Sequence, residues 1–190
     1  MNLSDNIGVT YESNYPECSP DDCFIVNIMV GPPSNNNVIN IMMSEFFSSE
    51  GKHIICGGTT AILASKYLGT ELIVDLNYFD CKIPPSGQIE GVDIVTEGVI
   101  TLGMVLERAR LFINNGDVLF RSMQYSDSVS KICRMLFDDS KKINFFIGQA
   151  INEAHQKPGS TISFESKMNI ILELIDSLRK MKKIVTSRYY

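Results

Sequence analysis

Several familiar signals are missing from this sequence, and each absence removes a class of function. No apolar run approaches the roughly 20 residues that a membrane-spanning helix needs, so no membrane contact is expected. Residues 1–20 are polar and acidic, with neither the basic start nor the apolar stretch of a signal peptide, which makes the cytoplasm the expected location. The five cysteines (Cys18, Cys23, Cys56, Cys81, Cys133) are odd in number and scattered, without a Cys-x-x-Cys pair. Neither a disulfide framework nor a zinc site follows. Cys18 and Cys23 are close enough for one half of a metal hairpin, but the second pair is missing, so no metal and no other cofactor is expected. Basic charge is in deficit, with 17 Lys+Arg against 22 Asp+Glu and a net charge of −5. Because non-specific nucleic-acid affinity comes mostly from Lys and Arg neutralising phosphates, a nucleic-acid partner is not expected. There are no internal repeats and no low-complexity segment beyond Asn35–Asn37.

What remains is a chain of 190 residues, 44% hydrophobic and 21% charged, the profile of an ordinary globular protein. At that length one domain can bury roughly 70% of the surface its unfolded chain exposes, so no staple is required. Cys23–Val30 is nearly continuous apolar and β-branched and is closed by Gly31-Pro32-Pro33, which reads as a buried strand. Ser34–Asn37 offers helix-capping chemistry to a helix over Val38–Phe47, with Gly51 as its stop. A strand at His53–Cys56 runs through Gly57-Gly58-Thr59-Thr60 into a helix over Ala61–Leu68. Glu71–Leu76 reads as a third strand, Asn77–Gly91 as irregular, and Val92–Val95 as a fourth strand ending in Thr96-Glu97-Gly98. Helices are predicted over Thr101–Phe112 and Ser126–Phe137, a strand over Asn144–Ile147 closed by Gly148, a helix over Ser166–Met181 and a last strand over Lys183–Tyr189.

Strands alternating with helices, and strand cores that are apolar throughout, predict a three-layer, Rossmann-like α/β fold: a mainly parallel sheet with helices on both faces. Residues 1–22 read as an extension and residues 23–190 as a single α/β domain.

In an open α/β sheet, ligands bind outside the carboxyl ends of the strands. Four predicted strands end in small-residue motifs, at Gly31, at Gly57–Thr60, at Thr96–Gly98 and at Gly148. If the sheet is parallel, these loops meet at one edge. Gly57 and Gly58 let backbone approach a ligand, and the helix start behind them presents unpaired N–H groups, with Thr59 and Thr60 adding hydroxyls. The loop is thus suited to a phosphate or a carboxylate; alternatively the glycines only make a tight turn and a threonine caps the helix. It is neither a Walker A loop nor a dinucleotide fingerprint. Glu97 at a strand end either accepts sugar hydroxyls or acts as a general base, or it caps the following helix. His155, in the polar run Asn152–Gln156, is a candidate acid, base or donor, or a residue that pins its loop. His53 reads as exposed. Cys56 sits beside a helix start that could lower its pKa, but no adjacent base is visible, and a buried small hydrophobe is the better reading. Gly31, Gly57, Gly58, Thr59, Thr60, Thr96, Glu97, Gly98, Asn152 and His155 are therefore the candidate ligand-binding residues, with Glu97 and His155 as candidate catalytic groups.

Four segments, Ile28–Pro33, Ile55–Ala61, Ile89–Leu102 and Ala150–Gln156, together resemble the region that follows the phosphatase domain in bacterial relatives of stage II sporulation protein E. The resemblance covers about residues 22–190, in the same order and spacing. In those relatives the catalytic part is a PPM-type serine/threonine phosphatase that uses manganese or magnesium held by aspartates. Pro20-Asp21-Asp22 is similar to the end of that catalytic domain, but nothing else of it is present, and two carboxylates cannot assemble a two-metal site. The resemblance implies an accessory domain without phosphatase activity of its own. Gln149 stands where the family pattern has Arg, and Glu153 where it has Pro. Losing the bidentate guanidinium weakens the case for a phosphate.

Three functions follow as expectations. The first is a non-catalytic sensor or regulatory module that binds a small polar or phosphorylated, hence anionic, molecule at the strand edge. A phosphatase or a second copy of the chain would be its protein partner. The second is an enzyme on a sugar phosphate or nucleotide-like substrate, because Gly58–Thr60 also resembles the phosphate loop of sugar-phosphate isomerases and their sugar-sensing transcription-factor relatives. In that version Glu97 is the base, and His155 or Lys167 the electrophilic partner. The third is a structural or oligomerisation domain whose small-residue loops are only turns.

Overall fold

The structure, a computed structural model, describes residues 24–74, 86–115, 127–150 and 163–190. The strands are β1 (Phe24–Val30), β2 (Lys52–Cys56), β3 (Ile73–Val74), β4 (Ser86–Gln88), β5 (Ile94–Thr96), β6 (Ser140–Ile147) and β7 (Ile184–Tyr189). The helices among the described residues are α1 (Ile39–Phe47), α2 (Gly58–Leu68), α3 (Val99–Asn115), α4 (Ser128–Arg134) and α5 (Phe164–Lys180). A short 3-10 turn, Asn36–Val38, precedes α1, and a π-helical segment, Met135–Asp139, follows α4.

Among the described residues the strands form one seven-stranded sheet in the order β3-β4-β5-β2-β1-β6-β7. Strands β5, β2, β1, β6 and β7 run parallel, and β4 joins β5 and β3 antiparallel at one edge. This is the mainly parallel sheet of a three-layer α/β fold.

Alternation along β1 explains the layering. Val26, Ile28 and Val30 face α3, α4 and α5 in one core, together with Phe145, Leu136 and Leu174. Met29 faces the other core, against Met42, Met43 and Phe46 of α1 and Ala61 and Ala64 of α2. Because both sides of the strand are covered, its sequence is apolar at nearly every position. The exception is Asn27, fully buried among hydrophobic neighbours. Its amide donates to the carbonyl oxygens of Glu50 at 3.0 Å and Lys52 at 3.4 Å, and its Oδ1 accepts from Asn144 Nδ2 at 2.9 Å. Thr186 Oγ1 continues the row by donating to Asn144 Oδ1 at 2.8 Å. The three residues lie level with one another on β1, β6 and β7.

The elements depart from the sequence reading in places with identifiable causes. Strand β4 falls inside the stretch expected to be irregular. Ser86-Gly87-Gln88 carries no apolar period and is extended through its antiparallel pairing with β3 and β5, where a Cβ on Gly87 would sit 3.0 Å from Leu72 Cδ1 and 3.3 Å from Val95 Cγ1. Helix α2 begins at Gly58, three residues earlier than expected, and β6 at Ser140, four earlier. Strand β5 starts at Ile94 because Asp93 instead turns its carboxylate to the His53 N–H (2.8 Å) and to Lys52 Nζ (2.9 Å). The α4 region begins at Ser128 and gives way to the π segment at Met135. His53, expected to be exposed, is half-buried, with Nε2 2.9 Å from the Phe46 carbonyl oxygen and its ring edge-on to the Phe46 ring at 4.8 Å. Residues 1–22, read as an extension, lie outside the described residues. No helix among the described residues is long and apolar enough to cross a membrane.

Candidate functional site

Parallel pairing places the carboxyl ends of β5, β2, β1 and β6 side by side, and with them the loops that begin at Glu97, Gly57, Gly31 and Gly148. Backbone bonds tie each loop to its neighbour. Gly57 N–H donates to the Thr96 oxygen at 2.9 Å, Gly31 N–H to the Cys56 oxygen at 3.4 Å, and Gly148 N–H to the Val30 oxygen at 2.9 Å. The β5 and β2 loops meet so closely that a Cβ on Gly98 would lie 3.1 Å from Gly57 Cα, and both glycines have positive φ, +140° and +128°. Only residues without side chains allow this approach.

A cleft of about 590 Å³ opens above this row. Its floor is the Gly31–Pro32 and Gly57–Thr60 backbone, Glu97 and Gly98 form one side, and Ser163–Glu165 and Lys167 of α5 form the other. Three helices begin at this cleft, and two have their first N–H groups answered by their own side chains. Glu97 Oε2 accepts from the Ile100 N–H of α3 at 3.2 Å, and Ser163 Oγ accepts from the Ser166 N–H of α5 at 3.0 Å. Helix α2 differs. Its N-cap is Gly57, which has no side chain to offer, and its first intrahelical donor is Ala61 N–H, to Gly57 O at 2.9 Å. The N–H groups of Gly58, Thr59 and Thr60 thus have no acceptor among the described residues. Thr60 is fully buried in the cleft wall, and its Oγ1 also lacks a hydrogen-bond partner. Buried hydroxyls are normally paired, so an unpaired one beside three open N–H groups is an unfilled set of donors.

Positive charge enters from α5. Lys167 is 9% exposed, and its ammonium donates to the Gly148 oxygen at 2.7 Å and lies 5.8 Å from the centre of the Phe164 ring. No carboxylate among the described residues pairs with it. Burial alone pulls its pKa below the ordinary lysine value. A Cβ on Gly31 would fall 2.3 Å from Nζ, so the ammonium would have to shift, and the φ of +77° favours glycine at this position.

Of the candidates from the sequence, Gly31, Gly57, Gly58, Thr59, Thr60, Glu97 and Gly98 line this one cleft. Thr96 does not. It is buried beneath the loop, with its hydroxyl 2.6 Å from that of Thr101, a pairing that its position at the end of β5 imposes. Asn152 and His155 lie outside the described residues. Cys56 is a buried thiol: burial pushes its pKa up to about 12, with the charge of Glu97 adding to the shift, opposite in direction to the lowering that a helix start would bring. Among the described residues no group of three or more His, Cys, Asp or Glu side chains is placed to hold a metal ion. Sequence reasoning missed Ser163, Phe164 and Glu165 because the last helix was expected to begin at Ser166; the usable signal was Ser163 three residues before Ser166, the spacing of a capping hydroxyl. Compared with family models, curated proteins and solved structures, the chain matches none.

Proposed function

We propose that this chain is a non-catalytic sensor module that binds the anionic group of a small molecule at the N-terminus of α2, in the manner of an accessory domain related to those of sporulation-type phosphatases. The observation that carries the reading is the buried, unpartnered Thr60 hydroxyl beside the open N–H groups of Gly58, Thr59 and Thr60. A phosphate or carboxylate there accepts from all four donors and meets the partial positive charge of the helix end. Lys167 supplies the cation. It takes over, from a different element, the charge that the Arg of the family pattern would have brought at Gln149.

The enzyme reading has Glu97 as its base, and Oε2 of that carboxylate caps α3, which leaves Oε1 to accept from a ligand. Calorimetric titration with inorganic phosphate and with phosphate monoesters tests the proposal. Saturable binding without turnover is expected, together with stabilisation of roughly 3 kcal/mol at 100-fold excess over Kd. Thr60→Val should remove that binding while keeping the fold; undiminished binding in the variant would overturn the assignment.

A further inference from the structure

We infer that the ligand seated at α2 is a nucleoside monophosphate, with its phosphate on the α2 N–H groups, its ribose hydroxyls turned to Glu97 and its base against Phe164. The inference rests on the anion site proposed above and extends it to the rest of the cleft. An inorganic phosphate fills the space of about three waters at roughly 30 Å³ each, a small part of the 590 Å³ available. The remaining space lies in the size range of sites for whole organic molecules.

The chemistry along the cleft is ordered, because the strands that carry it are ordered. Strand β5 brings a carboxylate, Glu97; β2, next to it, brings the donors of α2; β1 and β6, beyond, bring the backbone on which Lys167 rests. A dianionic phosphate belongs among the donors and beside the ammonium, and it is repelled at the Glu97 end. The group that meets Glu97 must be a donor, which is what a sugar hydroxyl offers. The rest of the lining is mostly apolar, including Val30, Val99, Ala150 and the half-buried ring of Phe164, with the exposed Ser163 and Glu165 on either side of Phe164 in sequence. Phe164 is held in the first turn of α5, its ring centre 5.8 Å from the Lys167 ammonium, and it lines the cleft as a surface on which a flat heteroaromatic base can stack. A sugar phosphate alone would leave that apolar wall uncovered.

The test titrates the full chain with adenosine 5′-monophosphate, ribose 5-phosphate, adenosine and inorganic phosphate. Adenosine 5′-monophosphate should bind at least about tenfold more tightly than ribose 5-phosphate, the scale of one base stacked on an aromatic ring. Phe164→Ala and Phe164→Leu should lower its affinity toward that of ribose 5-phosphate without changing the affinity for ribose 5-phosphate itself. Equal affinity of the two phosphates in the wild-type chain would overturn the nucleoside assignment and leave the anion site standing. Adenosine binding as tightly as its monophosphate would overturn it too. Absence of binding by every phosphate-bearing probe would bring down the anion site as well.

Discussion

Lys167 Nζ donates to the backbone oxygen of Gly148 at 2.7 Å, fastening the first turns of α5 to the loop that leaves β6. That single bond places a buried cation at the carboxyl edge of the sheet, where no carboxylate among the described residues neutralises it. The same cleft is lined by Glu97 at the end of β5 and by Glu165 in the first turn of α5.

Replacing this lysine separates stability from binding. In Lys167→Met the stem keeps its packing, the burial cost of the charge disappears, and the Gly148 oxygen loses its donor. The two effects oppose each other, so urea melts should place the variant within about 1 kcal/mol of wild type. Anion affinity should fall about tenfold or more, the scale of one hydrogen bond to a charged group. An unchanged affinity for phosphate monoesters would remove Lys167 from the site.

The two adjacent glycines should behave oppositely. Gly57 has φ +128° and a Cβ there would lie 3.1 Å from Thr60 Oγ1, so Gly57→Ala should cost roughly 1–3 kcal/mol in denaturant melts. Gly58 has open space around its Cα and begins the helix, so Gly58→Ala should be neutral or stabilising by up to about 1 kcal/mol. Similar losses in both variants would contradict the backbone geometry of the loop.

Asn27→Ala removes the buried end of the polar row that Asn27 forms with Asn144 and Thr186. Asn144 Nδ2 loses its acceptor, and the carbonyl oxygens of Glu50 and Lys52 lose a donor. A loss of roughly 1–3 kcal/mol in thermal or chemical unfolding is expected, by the cost of stranding buried polar groups. Ligand affinity should not change, since Asn27 lies level with His53 at the start of β2 and the cleft opens at that strand's other end.

These contrasts also show which parts of the molecule were legible in sequence. Strands β1 and β2 were legible because burial on both faces writes itself as an apolar run, and the edge loops because glycine must mark a strand end where chains approach as closely as Gly57 and Gly98 do. Strand β4 was hidden, since Ser86-Gly87-Gln88 has no apolar period and takes its extended form by pairing with β3 and β5. Thr96 looked like a ligand donor because nothing local reveals that Thr101, five residues on, returns one helical turn to take its hydroxyl. Lys167 entered only as an alternative, because its partner Gly148 is 19 residues away and the contact exists only once α5 lies across the sheet edge.

The buried thiols predict alkaline behaviour. Burial pushes Cys56 and Cys133 up to about 12 from an ordinary value of 9.0. Unfolded thiols ionise first, so the folded state holds more protons between those values and stability falls as pH rises from about 9 toward about 12, being fully present below about 9. The loss is roughly 1 kcal/mol per thiol by pH 10. Urea melts of Cys133→Ala should show a shallower decline across this range than wild type, whatever the absolute stability, and both thiols should resist iodoacetamide at neutral pH until the protein is unfolded. Rapid native-state labelling of Cys56 would contradict its burial.

The claim that α2 ends in an anion site is tested most directly by the amide resonances of that end. On titration of the ¹⁵N-labelled chain with adenosine 5′-monophosphate, the N–H signals of Gly58, Thr59 and Thr60 should move most, with a saturable downfield shift that Thr60→Val abolishes. Shifts confined to other parts of the chain, or none at all at these three residues, would contradict the account.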